Sequence, residues 1–127
     1  KAEISIPGKI VLKDTNKVFF RDILNNLIDN SIKAVKTAKE KIIKCSVSVD
    51  QDKLQIDVSD SGYGIPVEKR SWVFGIYNTT TEEEGGAGIG LYIVKTRVES
   101  LKGSVRVVDS EFGALGTTIR VELPFKR

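Results

Sequence analysis

The chain predicts a single α/β domain of the α+β kind, spanning 1–127 without a linker and closed over one layered core. Three observations carry that expectation. One long segment repeats apolar residues at three- and four-residue steps, and several short segments alternate them at period two. The length, 127 residues with 40% apolar content, is the size at which one such core closes.

Taken in order, Glu3 to Ile6 and Lys9 to Leu12 are short alternating or β-branched runs joined by the turn signal Pro7-Gly8, which predicts a hairpin of two edge strands. From about Asn16, the residues Phe19, Ile23, Leu27, Ile28, Ala34, Val35 and Ala38 follow the helical step and predict a long amphipathic helix near 16–39. Cys45, Val47 and Val49, then Leu54, Ile56 and Val58, alternate on either side of Asp50-Gln51-Asp52 and predict two core strands. A glycine-rich loop, 60–66, leads into a short helical candidate over 67–74. Residues 75–88 hold few apolar groups and the run Glu82-Glu83-Glu84, a composition that predicts a mobile lid loop at about 75–88. Leu91, Val94, Val98 and Leu101 resume helical spacing, and Val105 and Val107 with Ile119, Val121 and Leu123 predict a closing hairpin around Gly113 and Gly116.

Composition narrows the class. Lys and Arg number 20 against 17 Asp and Glu, and this net +3 is too small and too evenly spread for a nucleic-acid stripe. The one cysteine, Cys45, excludes a disulfide within the chain and reads as a buried reduced thiol. No apolar stretch approaches the roughly 18 residues of a membrane span, and no signal-peptide pattern opens the sequence. The expectation is a soluble cytoplasmic domain with no direct membrane contact. Beginning at Lys1 without a methionine, it reads as a piece of something longer, whose anchor lies elsewhere.

Four constellations carry chemistry. Asn26, Asn30 and Lys33 stand four and three residues apart, so two amides and an ammonium share one helix face. Amide oxygens are neutral hard ligands suited to a Mg²⁺ whose other ligands are phosphates and water, and the ammonium suits a phosphate oxygen; a plain polar helix edge is the alternative. Asp60-Ser61-Gly62-Tyr63-Gly64 follows a strand and sets a carboxylate, an acceptor for an exocyclic amine, beside two glycines that let a flat ring approach, or else it is a tight turn. Gly86, Gly88 and Gly90 precede the Leu91 helix and put unhindered N–H groups at a helix N-terminus, where phosphate is favoured, or else form only a flexible lead into that helix. They fit neither a Walker loop, which needs Gly-Lys-Ser or Gly-Lys-Thr, nor the dinucleotide fingerprint, whose third glycine is displaced by Leu91. Gly113 to Thr118 alone is a hairpin turn.

In this order, Asn26 to Lys33 (Asn-Leu-Ile-Asp-Asn-Ser-Ile-Lys), Asp60 to Gly64, Phe74, Gly86 to Leu91 and Gly116-Thr117-Thr118 resemble the successive nucleotide-binding boxes of histidine kinases. The resemblance covers about 16–124. It implies the Bergerat ATP-binding fold shared with DNA gyrase, the ninety-kilodalton heat-shock chaperones and the mismatch-repair ATPase MutL: a two-layer α/β sandwich in which a mixed, largely antiparallel sheet is backed by about three helices. It further implies ATP and Mg²⁺ as cofactors. Asn30 is implied as the main Mg²⁺ ligand, Asn26 as a second polar group at metal and phosphates, and Lys33 as a phosphate contact. Asp60 is implied to take the adenine amino group, Gly62, Gly64 and Ile65 to shape the base pocket, and Thr117 to support the adenine end. Gly86, Gly88, Ile89, Gly90 and Leu91 are implied to wrap the phosphates, with Phe74 and Tyr77 packing under the lid.

Three departures stand out. Ser31 stands where Ala is commoner, Ala34 where an aromatic is frequent, and there is no histidine, so the phosphoacceptor lies elsewhere. The implied partners are a histidine-bearing dimerisation domain of a parent sensor kinase and, indirectly, a response regulator, with no nucleic acid. Related ATPases place a Glu four residues before the metal Asn. Asn26 occupies that position here, and its amide accepts no proton, which favours kinase over hydrolase. The alternatives are a serine kinase of the anti-sigma type and a nucleotide-binding regulatory module without transfer activity.

Overall fold

The computed structural model describes residues 2–5, 14–76, 89–113 and 115–125. Among the described residues, five strands form one sheet in the order β1-β2-β3-β5-β4, with β1 Ala2–Ser5, β2 Ile43–Asp50, β3 Lys53–Asp60, β4 Ser104–Val108 and β5 Thr117–Pro124. All neighbours are antiparallel except the edge strand β1, which runs parallel to β2 with Ala2 opposite Ile43. Two helices, α1 Asp14–Val35 and α2 Gly90–Ser100, pack together and against one face of the sheet, giving the expected two-layer α/β sandwich with a mixed, largely antiparallel sheet.

Period-two alternation builds the core. Leu54, Ile56 and Val58 of β3 face the helices beside Ile119, Val121 and Leu123 of β5, Cys45 and Val47 of β2 and Val107 of β4. From the helical layer Ile23 and Leu27 of α1 and Val94 and Val98 of α2, all fully buried, close on them. Cys45 is a free buried thiol, and burial raises its pKa, with the Asp57 charge adding to the effect. The opposite face is polar: Arg120 holds Asp57 through two bonds of 2.9 and 3.1 Å, and Arg106 pairs with Glu122 at 2.6 Å. Such exposed cross-strand pairs add little stability but keep that face wet.

Three expectations are corrected. The first helix ends at Val35, not near Lys39, because Ser61 draws the following chain away: its hydroxyl donates to Glu40 O at 2.7 Å and accepts from Ile42 N at 2.9 Å. The segment 67–74 is two 3-10 turns, Val67–Lys69 and Trp72–Phe74, with Pro66 capping the first. The opening strand β1 pairs in parallel with β2, which the sequence did not predict; the second arm of the expected hairpin, residues 9–12, lies outside the described residues. Among the described residues, no helix is long and apolar enough to cross a membrane.

Candidate functional site

The alternation that buries Leu54, Ile56 and Val58 puts the next even position, Asp60, on the same inward face at the end of β3, opposite Thr117 of β5 and Ile43 of β2. A carboxylate is therefore delivered to the edge of the core by the strand's own period. Asp60 is 1% exposed and Thr117 is 4% exposed. The Asp60 carboxylate accepts from the Gly62 N–H at 2.9 Å. Burial pushes its pKa up from the ordinary 3.8 to about 6, against the opposing hydrogen bonds of the Gly62 N–H and the Ser31 hydroxyl.

Two glycines make that corner possible. A side chain at Gly62 would run into the Ala34 backbone, so the 60–64 loop lies flat against the end of α1. Gly116, with φ +91°, sits where a side chain would strike the Asp60 carbonyl, and Gly64, with φ +80°, lies against Gly116.

On α1, the buried stripe Ile23, Leu27, Ser31, Ala34 faces the sheet, with Asn26 and Asn30 beside it, half-buried, and Lys33 exposed in the last turn. The Asn26 amide nitrogen donates to Asp22 O at 2.8 Å, which leaves its oxygen as the outward acceptor. That oxygen stands 3.4 Å from where a methyl on Gly90 would lie, so the first turn of α2 opens directly onto Asn26. Ile89 at the cap supplies no side-chain acceptor to that helix end. Arg97 of α2 holds the two helices in this relation, its guanidinium 5.1 Å over the Phe19 ring and its Nε 3.5 Å from an Asp22 carboxylate oxygen.

The structure thus makes two groupings along α1: Asn26 with Gly90 at the start of α2, and, two turns further on beside Ala34, Asp60 with Gly62, Gly64 and Thr117. Phe74 is a core residue, 4% exposed, and Ile65 and Leu91 pack partly buried against the same core. Tyr77, Gly86 and Gly88, and most of the expected lid, lie outside the described residues. A cleft of about 590 Å³ adjoins this corner and shares Gly64, Ile65 and Thr117 with it, but Asn26, Asn30 and Asp60 do not line it. Its rim carries the Arg70–Asp109 pair at 2.8 Å.

Sequence reasoning passed over Ser31 as a site residue. It is 1% exposed, and its hydroxyl opposes the rise that burial causes in the Asp60 pKa. The signal was present: a hydroxyl four residues after Leu27, inside an otherwise apolar stripe.

The fold is an α/β sandwich that carries amides on α1, a buried carboxylate at the end of β3 and a helix start at Gly90. Residues 15–127 match the family described as histidine kinase-, DNA gyrase B-, and HSP90-like ATPase. The chain is 36% identical over 107 residues to a probable C4-dicarboxylate sensor kinase of Halalkalibacterium halodurans, across 83% of this chain and 20% of that protein. It is 34% identical over 108 residues to the sensor histidine kinase CpxA of Escherichia coli, across 82% of this chain and 22% of that one. A solved structure of the mycobacterial sensor histidine kinase MprB superimposes with a TM-score of 0.83 at 26% identity, covering 98% of this chain and 80% of that one. The chain belongs to this ATPase family. It spans about a fifth of the length of these two curated relatives.

Proposed function

We propose that the chain, as one catalytic domain, binds Mg-ATP at this corner and transfers the γ-phosphoryl group to a histidine on a separate helical dimerisation domain of its parent protein. The observation that supports the reading is that α1 carries Asn26 against the first turn of α2 at Gly90 and, two turns on, Ala34 against the loop that follows the Asp60–Thr117 pair. Asp60 takes the exocyclic amine of adenine, Gly62, Gly64, Ile65 and Thr117 shape the base wall, and Lys33 and the α2 N-terminus face the phosphates. Leu91 and the core residue Phe74 support that wall from behind.

Among the described residues no group of three His, Cys, Asp or Glu side chains stands ready to hold a metal by itself. Neutral amide oxygens fit a Mg²⁺ that arrives with the nucleotide, and Asn30 with Asn26 would hold it there, where it neutralises charge on the β- and γ-phosphate oxygens. The acceptor imidazole attacks γ-phosphorus, the bond to the bridging oxygen breaks, and ADP leaves. Since neutral imidazole is abundant near pH 7, no strong base is required at position 26. The parent is read as a two-component sensor, cytoplasmic in this part and anchored elsewhere, that passes the phosphoryl group on to a response regulator.

The test is transfer of labelled γ-phosphate from ATP to a separately supplied histidine-bearing helical domain. An acid-labile, base-stable product supports the reading. A base-labile, acid-stable product would instead mark a protein serine kinase, and tight ATP binding with no transfer to either acceptor would mark a regulatory module.

Two substitutions probe the phosphate end. Asn30→Ala is expected to remove the Mg²⁺-dependent part of ATP affinity, roughly tenfold or more, while nucleotide binding in chelator stays as in the parent. Calorimetry with and without Mg²⁺ reads this directly. Gly90→Ala is expected to leave the fold intact or firmer by up to about 1 kcal/mol, because the position is helical and the methyl meets only ordinary contact. The same methyl occupies the phosphate approach beside Asn26, so ATP affinity is expected to fall about tenfold. Melting and titration on one sample separate the two effects.

A further inference from the structure

We propose that Arg97 is a positioning residue for the phosphate end of this site, which through Asp22 and Phe19 fixes the first turn of α2 against the Asn26 side chain. This rests on the assignment of Asn26 and the start of α2 to the phosphates and Mg²⁺.

Helical period lays out the contact. On α1, Phe19, Asp22 and Asn26 stand three and four residues apart and form one row. On α2, Gly90 and Arg97 stand seven apart and share a face, two turns or about 10 Å from one another. The rows meet at two points. At one, the Asn26 Oδ1 lies 3.4 Å from where a methyl on Gly90 would stand. At the other, the Arg97 Nε lies 3.5 Å from an Asp22 carboxylate oxygen, and the guanidinium is 5.1 Å over the Phe19 ring. The later residue of α1 meets the earlier residue of α2, so the helices run in opposite directions, and the two contacts together set how far one slides along the other. Ile23, Leu27, Val94 and Val98 supply the burial between the helices and the sheet, which is non-directional. The charged and aromatic contacts supply the direction.

Asp22 joins the two points. Its carboxylate meets Arg97, and its backbone carbonyl accepts the Asn26 amide N–H at 2.8 Å, which turns the Asn26 oxygen outward. The Arg97 Nε makes no hydrogen bond among the described residues, so this is a long ion pair steadied by the ring rather than an aligned fork. The Arg97 and Asp22 side chains are 38% and 33% exposed, a setting in which an ion pair adds little to stability. Its consequence is geometric. A shift at Arg97 is carried along α2 to the N–H groups at Gly90, and a charged ligand held by such groups is sensitive to small misplacement.

The experiment measures Mg-ATP binding by calorimetry and adenosine binding by NMR titration. Adenosine carries the base and no phosphate. The whole chain is compared as parent, Arg97→Ala, Asp22→Asn, the double variant and Gly90→Ala. Alanine suits a helix interior and asparagine keeps the shape of aspartate, so the variants keep their fold, which melting verifies. Arg97→Ala is expected to lower Mg-ATP affinity about fivefold and leave adenosine affinity as in the parent. Asp22→Asn is expected to act in the same direction, and the double variant to lose no more than the larger single loss. Equal falls for both ligands would mean that α2 merely loosens the fold, and additive losses at 22 and 97 would mean that Arg97 does not act through Asp22. Either result overturns the inference, as does unchanged Mg-ATP affinity in Arg97→Ala beside a loss in Gly90→Ala, which leaves the phosphate assignment standing. Unchanged affinity in Gly90→Ala as well removes the phosphates from this helix start, and this inference with them.

Discussion

Asp60→Asn is expected to lower ATP affinity about 100-fold or more, because it replaces a charge-assisted acceptor with a group that can turn an N–H donor toward the amine it should accept. The same change should alter stability with a definite sign. In the folded chain the Asp60 pKa is raised from 3.8 to about 6, so the fold binds that proton more tightly than the unfolded chain does. Below about pH 4 both states are protonated and burial of this group costs nothing through ionisation. Between about pH 4 and 6 the unfolded chain releases its proton first, and stability falls by up to roughly 3 kcal/mol as pH rises. Above about pH 6 the penalty is complete. Asparagine carries no such charge, so denaturant midpoints of parent and variant should approach one another as pH rises from about 4 to 6, with the variant gaining on the parent throughout. A parent curve parallel to that of Asp60→Asn over this range would mean the carboxylate is not desolvated. The chain accordingly tolerates a destabilised carboxylate at the one place where the proposed ligand needs an acceptor.

What the sequence showed and what it hid divide along the range of the interactions. The β2–β3 hairpin was legible because six apolar residues alternate across Asp50-Gln51-Asp52, and pairing one strand with the next needs only local chain. The stripe Ile23, Leu27, Ala34 named the buried face of α1, and the glycine at 90 lies where the second helix starts. The end of α1 was not legible, since Lys36 to Lys39 can continue a helix and are prevented by Ser61, more than twenty residues downstream, fastening residues 40 and 42. Nor was the parallel pairing of β1 with β2, which joins segments some forty residues apart with no turn signal to announce it. At the site, residue types were readable one motif at a time. Their convergence was readable only through resemblance, because it depends on Gly62 fitting against Ala34 and Gly116 against Asp60. Ser31 escaped for a related reason: a hydroxyl in an apolar stripe looks like a small core residue until the carboxylate opposite it is placed.

Gly116→Ala is expected to cost roughly 3–5 kcal/mol, a large share of the stability of a domain this size. Two penalties act together. Its φ of +91° lies in the left-handed region that a side chain disfavours, and the added methyl would be forced into the Asp60 carbonyl, a backbone atom already committed to the end of β3. Relief requires the start of β5 to withdraw from β3, and the first pair to open is Thr117 with Asp60. Any surviving folded population should therefore lose ATP affinity as well, since the two residues proposed at the base part company. Gly113 provides the control. It also has a positive φ, +78°, but nothing lies within 4 Å of its added methyl. Alanine there should cost only about 1–2 kcal/mol and leave ATP affinity as in the parent. Equal losses at 113 and 116, in both melting temperature and nucleotide affinity, would show that loop conformation alone, and not the close approach of Gly116 to Asp60, holds this corner of the sandwich.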